Sequence, residues 1–273
     1  MKYALITGAS GGLASQIISM LSNDFIIIAL DKNSNVLEIY KNKTNVFPYI
    51  CDITDNNSVL TVKEKVNSFT SHLDLIINFA GVVILGSTLE IPPEKALKVL
   101  NVNVMGMYNI NQAFIDMLDN SSRIINVSSE YGVLDALPFH SFYTMSKHAV
   151  EIYNDSLRRE LNFKGIKVIK IRPGAFKTNM QGGILNLFDK MVEDTTRYKS
   201  PLTKMQFIMK NELVKAKDPK YFVKVFLKAL NAKKPKRYYN VNNSFKMKLY
   251  TILPNGMKDL FFKIFLKWNN GFF

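Results

Sequence analysis

Cysteine, histidine and tryptophan are scarce in this chain: 273 residues hold one, three and one. Cys51 alone forbids an intrachain disulfide, and His72, His140 and His148 are too scattered for metal-ligand spacing. A disulfide scaffold and a metal centre are therefore not expected, and a reducing, cytoplasmic setting is. Glycine and proline are also few, at 13 and 9, beside 47% hydrophobic residues. That balance excludes collagen-like, low-complexity and disordered chains. No apolar run reaches the roughly 18 residues a membrane-spanning helix needs. Met1-Lys2-Tyr3 leads straight into a strand pattern, so no signal peptide is expected. At this length one α/β domain is expected rather than two.

Acidic residues are what the last quarter lacks. Residues 201 to 273 hold 16 basic side chains against 3 acidic ones, whereas residues 1 to 200 hold 20 against 19. Nearly all of the net charge of +14 thus belongs to the C-terminal end. A basic chain invites a nucleic-acid reading, but here the lysines interleave with Phe, Leu and Ile on a helical pattern, so no nucleic acid is expected.

Short Ile- and Val-rich runs do recur. Ala4 to Ile6, Phe25 to Leu30, Val46 to Ile50, Leu73 to Asn78, Arg123 to Val127 and Lys167 to Ile171 alternate with helix-length or shorter segments. This predicts βαβ units: a single doubly wound parallel sheet with helices on both faces, of the Rossmann type. Helices are expected over about 93 to 118, 142 to 161 and 219 to 231, with a last strand at Arg237 to Val241. Residues 180 to 215 read as a mobile or partly helical insertion. The expected organisation is a body over 1–241 carrying that insertion, then a basic, apolar extension over 242–273.

Thr7-Gly8-Ala9-Ser10-Gly11-Gly12-Leu13-Ala14 follows the first strand and opens a helix. Glycines there let the backbone turn tightly against a pyrophosphate held by helix N-terminal amides. Asp31 ends the second strand, 19 residues after Gly12. A carboxylate there can accept both hydroxyls of an adenosine ribose and repels a 2'-phosphate, so NAD is expected over NADP. Tyr143 and Lys147, four apart on a helix, present phenol and ammonium on one face.

Taken together these segments resemble the short-chain dehydrogenase/reductase (SDR) family. Thr7 to Ala14 is similar to its Thr-Gly-x-x-x-Gly-x-Gly turn, with Ala14 at the third glycine, and Asn78-Phe79-Ala80-Gly81 to its Asn-Asn-Ala-Gly, with Phe79 at an asparagine. Asn101 to Gly106 resembles the segment of the catalytic asparagine, Asn126 to Ser129 the serine strand, and Tyr143 to Lys147 the active-site helix. Arg172-Pro173-Gly174 with Thr178 resembles the nicotinamide loop.

The resemblance implies Asn103, Ser129, Tyr143 and Lys147 as catalytic residues. Cofactor contacts implied by turn and resemblance are Gly8, Ser10, Gly11, Gly12, Leu13, Asp31, Asp52, Ile53, Asn78, Ala80, Gly81, Tyr143, Lys147, Pro173, Gly174, Phe176 and Thr178. Ser128 is the alternative to Ser129, which is preferred because Gly132 then keeps the family's offset of three. The one extra residue before Tyr143 then falls near Leu134 to Ala136. Tyr143 would be the general acid/base, its pKa lowered from about 10 toward 7 by Lys147, which one ammonium about 4 Å away can supply. The implied activity interconverts a secondary alcohol and a ketone with NAD. The alternatives are an epimerase or dehydratase of the extended branch, or a non-catalytic nucleotide sensor. Family practice implies a homo-oligomer.

Beyond the nicotinamide loop, in the segment of about 180–215 that the resemblance implies as a substrate lid, Met180, Ile184, Leu185, Leu187, Phe188, Met191, Met205, Phe207, Ile208 and Met209 form an apolar set. They either mould around a small hydrophobic substrate of steroid, retinoid or long-chain alcohol type, or simply pack on the body. From Lys258 to Trp268 a helical wheel leaves Asp259, Lys263 and Lys267 as a narrow polar stripe. The apolar arc is roughly twice the 100° expected at a globular surface. A bilayer interface met by residues 245–268, a subunit contact or a flap over the site would each cover it.

Overall fold

Strands buried on both faces need apolar side chains at consecutive positions, and the runs of Ile, Val and Leu supply them. In the computed structural model, which describes residues 1–214 and 216–266, they form one parallel sheet. Its strands are β1 (Lys2–Thr7), β2 (Phe25–Asp31), β3 (Val46–Ile50), β4 (Leu75–Asn78), β5 (Arg123–Val127), β6 (Lys167–Pro173) and β7 (Tyr238–Val241). The order is β3-β2-β1-β4-β5-β6-β7. Thr7 pairs with Leu30 on one side and Asn78 on the other, so the order reverses at β1. Connections diverge there, and a crevice opens beyond the C-terminal ends of β1 and β4.

Successive side chains of each strand serve opposite faces. Ala4, Ile6, Ile27, Ile77 and Ile169 meet α1 (Gly12–Leu21) and α9 (Lys220–Asn231). Leu5, Ile28, Ile76, Ile124 and Val168 meet α3 (Asn56–Asn67), α5 (Gly106–Phe114) and Leu161 of α6 (Ser141–Asn162). Phe114 is fully buried in this second layer, so Phe114→Ala would remove about 3–5 kcal/mol. The short α2 (Asn35–Tyr40) links β2 to β3.

Two expected elements differ from the sequence reading. The helix expected over 93 to 118 is α4 (Pro93–Leu100), a π turn (Asn101–Met105) and α5, followed by a 3₁₀ turn. The wider π turn redirects Asn103 off the helix ladder into the site. The insertion at 180 to 215 is helical: α7 (Asn179–Asp194) and α8 (Lys199–Val214). They bury Phe188, Met191, Leu202 and Met205 against Leu85 and Phe139, so part of the methionine-rich set is core. Phe207 is exposed, and the side chains of Met180 and Ile208 lie outside the described ones. Beyond β7 the chain adds α10 (Phe245–Ile252) and α11 (Asn255–Phe265); Lys267 and Trp268 of the wheel lie outside the described residues.

Candidate active site

At the end of β1 the chain turns through Gly8, φ +66°, where an added Cβ would stand 2.8 Å from the Ala80 backbone nitrogen. The Gly11 amide closes the turn onto the Gly8 carbonyl at 2.9 Å. A Cβ on Gly12 would lie 2.8 Å from that of Thr178, so the turn and the start of α7 are in contact. Ser10 donates its amide to Asp31 at 2.9 Å, while its buried hydroxyl bonds to no protein group. An unpartnered hydroxyl, glycines without room for side chains and an acid on the next strand fit a dinucleotide. Leu13 packs its side chain on the core, so only its backbone faces the turn.

The second half of the crevice is built by β4 and β6. Thr7 Oγ1 accepts the Ala80 amide at 3.2 Å, fixing the strand-end loop that carries Gly81. Pro173 ends β6, and the Gly174 amide donates to Val241 at 2.9 Å. Phe176 buries its ring against Phe222, which leaves its backbone for any cofactor contact. Asp52 accepts from Thr54 and pairs with Lys32 at the rim.

Two expected cofactor side chains are turned elsewhere. Asn78 is buried and donates to Asn111 and Asn126, each at 2.9 Å, while Asn126 donates to Asn154 at 3.0 Å. It belongs to an amide ladder under the strand ends. Ile53 packs beneath Gly106, where a Cβ would come within 2.5 Å of its side chain. Phe79, the departure from asparagine, stacks on Phe226 and meets Phe222 at a tilt, which explains why an aromatic stands there.

The four residues expected to be catalytic converge. Ser129 caps a 3₁₀ turn (Glu130–Gly132), accepting from Tyr131 N at 3.3 Å, and its hydroxyl stands beside the Tyr143 phenol, where it favours the ionised form. The Ser128 hydroxyl instead faces Glu151, so Ser129 is the serine at the phenol. Gly132 must be glycine, because a Cβ would stand 2.8 Å from Ser128 Oγ. Lys147 Nζ lies 5.9 Å from the Tyr143 ring centre and donates to Val127 O at 3.3 Å. Asn103 accepts from Val82 N at 2.7 Å and donates to Val82 O and Ser146, both at 2.9 Å. A Cβ on Gly81 would lie 3.3 Å from Asn103 Oδ1 and 3.6 Å from Lys147 Nζ, so this glycine joins the two halves of the site.

Electrostatics differ from the sequence expectation. Burial raises the Tyr143 pKa above its ordinary value, the Ser129 hydrogen bond opposes this, and the Glu130 charge reinforces it. Burial lowers Lys147 to about 8, against the pull of Glu151. The expected lowering of the phenol by its lysine is therefore not found. The ammonium sits over the ring, engaged with Val127, and is itself poorly solvated.

Sequence spacing gives no sign of several supporting groups. Glu151, one turn beyond Lys147, is buried and chelated by Arg172 at 2.6 and 2.9 Å and by Lys170 at 2.7 Å, pairings 19 to 21 residues apart in the chain. Tyr131 stacks on His140 at 5.4 Å and meets Tyr143 edge-on, and His140 also faces Phe188 of α7. These rings make an aromatic wall. Beside it lies a cavity of about 410 Å³ lined by Val82, Ile84, Ile91, Val99, Leu187 and Met191 among others. Glu90 holds the α7–α8 turn over this cavity, accepting from Thr195 Oγ1 at 2.7 Å, Thr196 Oγ1 at 2.9 Å and the Thr196 and Arg197 amides at 3.1 Å.

A doubly wound sheet with a glycine turn at its switch point and a Ser–Tyr–Lys cluster across the crevice defines a nucleotide-dependent oxidoreductase. The model of the short chain dehydrogenase family matches residues 2–186, and the chain belongs to that family. It is 28% identical to the "Probable short-chain type dehydrogenase/reductase VdlC" of Helicobacter pylori, over 96% of each chain. It is likewise 28% identical to the NADPH-dependent 3-dehydrocapnine reductase of Ornithobacterium rhinotracheale, over 98% of this chain and 97% of that one. Mouse retinol dehydrogenase 7 is 28% identical over 66% of this chain and 58% of its own. A short-chain dehydrogenase structure from Streptomyces avermitilis superposes with TM-score 0.73 at 20% identity, covering 98% and 95%, and shows the same fold.

Proposed function

We propose that the protein is an NAD-dependent oxidoreductase that interconverts a secondary alcohol and a ketone on a small hydrophobic substrate. The observation that carries this reading is the convergence of Ser129 and Lys147 on Tyr143 beside an aromatic wall. When bound, the nicotinamide supplies the redox half of the reaction. The protein's own task is to hold the substrate oxygen and move one proton at Tyr143 Oη.

The Ser129 hydroxyl stands beside that phenol, so a carbonyl oxygen placed between the two would be oriented by both. Tyr143 carries its proton at neutral pH and so can donate it to a ketone, although the burial that raises its pKa makes it the weaker acid. Lys147, at about 8, titrates close to working pH and can pass a proton onward. Asn103, bonded to Val82 and Ser146, fixes the floor beneath Gly81. Tyr131, His140 and Phe188 supply an apolar flank, in keeping with retinol as the substrate in one relative's name.

Asp31 supports NAD. Its carboxylate is oriented by the Ser10 and Asn33 amides, where it could accept the ribose hydroxyls, and the adjacent Lys32 is paired with Asp52. A 2'-phosphate would meet a negative group there with the nearest cation already engaged. The relative named as NADPH-dependent shows that the family admits the other choice. Steady-state rates with each cofactor and a panel of hydrophobic alcohols and ketones test this. The expected result is a higher kcat/KM with NAD, with Asp31→Ser narrowing the gap at least tenfold; a wild-type preference for NADP contradicts it.

A further inference from the structure

α10 and α11 are seated on the loop that joins Ser129 to Tyr143. The Ser244 amide, at the start of α10, donates to Glu130 at 2.9 Å. Tyr250 donates its hydroxyl to the Ala136 carbonyl at 3.2 Å, and Lys258 of α11 is buried in an ion pair with Asp135. Leu266 packs against the lid cluster of Phe188, Met191 and Met205. Two of these anchors, Asp135 and Ala136, lie in the stretch where the extra residue of the 129–143 loop falls.

The outer face of the same two helices is apolar. Phe245, Leu249 and Ile252 form one stripe on α10. Leu260, Phe261, Ile264 and Phe265 form a second on α11, and Phe245, Ile252 and Ile264 are 78%, 77% and 64% exposed. Exposed Lys246, Lys248 and Lys263 stand among them, and Asp259 is the one acid between residues 244 and 266. A second copy of this chain seated face to face would bring the same lysines together, which opposes a symmetric contact. An apolar stripe with a basic fringe complements the boundary between anionic lipid headgroups and acyl chains.

We propose that α10 and α11 form a docking pad for an anionic bilayer, which sets the mouth of the active site against the membrane surface. No described helix is long and apolar enough to cross a membrane, so the contact is peripheral. The docking stands without the oxidoreductase reading; only its purpose, delivery of an apolar substrate from the bilayer, rests on that reading.

The test is co-sedimentation of the full chain, without cofactor or substrate, with phosphatidylcholine vesicles and with vesicles carrying about one third phosphatidylserine. Binding is expected to the anionic vesicles only and to weaken with salt. Reversing Lys246, Lys248 and Lys263 to Glu should weaken it by roughly a hundredfold or more, at about one kcal/mol per surface lysine. A second variant, Phe261→Gln with Ile264→Gln, should weaken it at least tenfold, by a rough estimate from lost apolar burial. Both variants alter exposed side chains, and an unchanged unfolding midpoint checks their folding. Absence of wild-type binding, equal binding by both variants, or a dimer that the Gln variant dissolves without any vesicle binding by the wild type would overturn the proposal. Turnover on a water-soluble ketone reports on the catalytic reading separately, because neither variant touches Tyr143 or its partners.

Discussion

The sheet body and the C-terminal quarter handle charge in opposite ways. In the body, Glu151 of the helix that carries Tyr143 and Lys147 is buried with Lys170 and Arg172 of β6, and Asp155 supplies the second carboxylate, to Lys170. In α10 and α11 charge stays at the surface and the large apolar side chains stay with it. Buried pairs contribute little net stability but are costly to break, so they fix geometry. Exposed lysines beside exposed phenylalanines fix nothing internally and act on whatever the surface meets. The first arrangement suits chemistry at one point in space, and the second suits placement of the whole molecule.

The largest effect that sharpens this contrast comes from Glu151→Gln. It leaves Arg172 buried without its carboxylate and Lys170 with Asp155 alone, and chemical denaturation should show a loss of about 3–5 kcal/mol. A loss below 1 kcal/mol would mean that the buried charges are not acting as one unit.

Lys147→Met should move stability the other way. The folded lysine has a pKa of about 8 against an ordinary 10.5, so between those values the unfolded chain binds more protons. Stability from this group therefore rises as pH goes from about 8 to 10.5, and below about 8 its burial costs about 3 kcal/mol. The variant should melt several degrees higher at pH 7, with the gain shrinking toward pH 10.5, and should lose turnover. A lower melting temperature would show that the ammonium is well satisfied where it stands.

A smaller effect belongs to the lid. Burial raises the Glu90 pKa, but its bonds to Thr195, Thr196 and Arg197 more than offset this and leave it lowered. The latch is therefore in place above the ordinary carboxylate range and is lost as pH falls through the lowered value. Glu90→Gln keeps the shape and removes the charge, so KM for an apolar substrate should rise by roughly 3–10-fold with kcat little changed, as expected for a lost charge-assisted contact. A change confined to kcat would place Glu90 in the chemistry instead.

What could be read from the sequence is what backbone geometry enforces. Gly8 and Gly132 have no room for a side chain, and Tyr143 and Lys147 must share a helix face, so each leaves a local signature. The strand runs were equally legible, because a strand covered on both faces needs apolar residues throughout. Contacts between distant positions were not. Glu90 meets residues 105 to 107 places away, and Glu130 meets Ser244 across 114. Asn103 was legible, but the π turn that aims it was not, since one extra residue per turn leaves the apolar period of the helix nearly unchanged. The direction of the Tyr143 pKa is not legible either, because it depends on burial as well as on the charge at helical spacing.

The measurement that bears most directly on the central claim is reduced-nicotinamide absorbance during turnover of hydrophobic ketones and alcohols, for the wild type and Tyr143→Phe. The account predicts cofactor-coupled turnover by the wild type and a loss of about a thousandfold in kcat for the variant, the scale of a removed general acid/base. Undiminished turnover by Tyr143→Phe would contradict it.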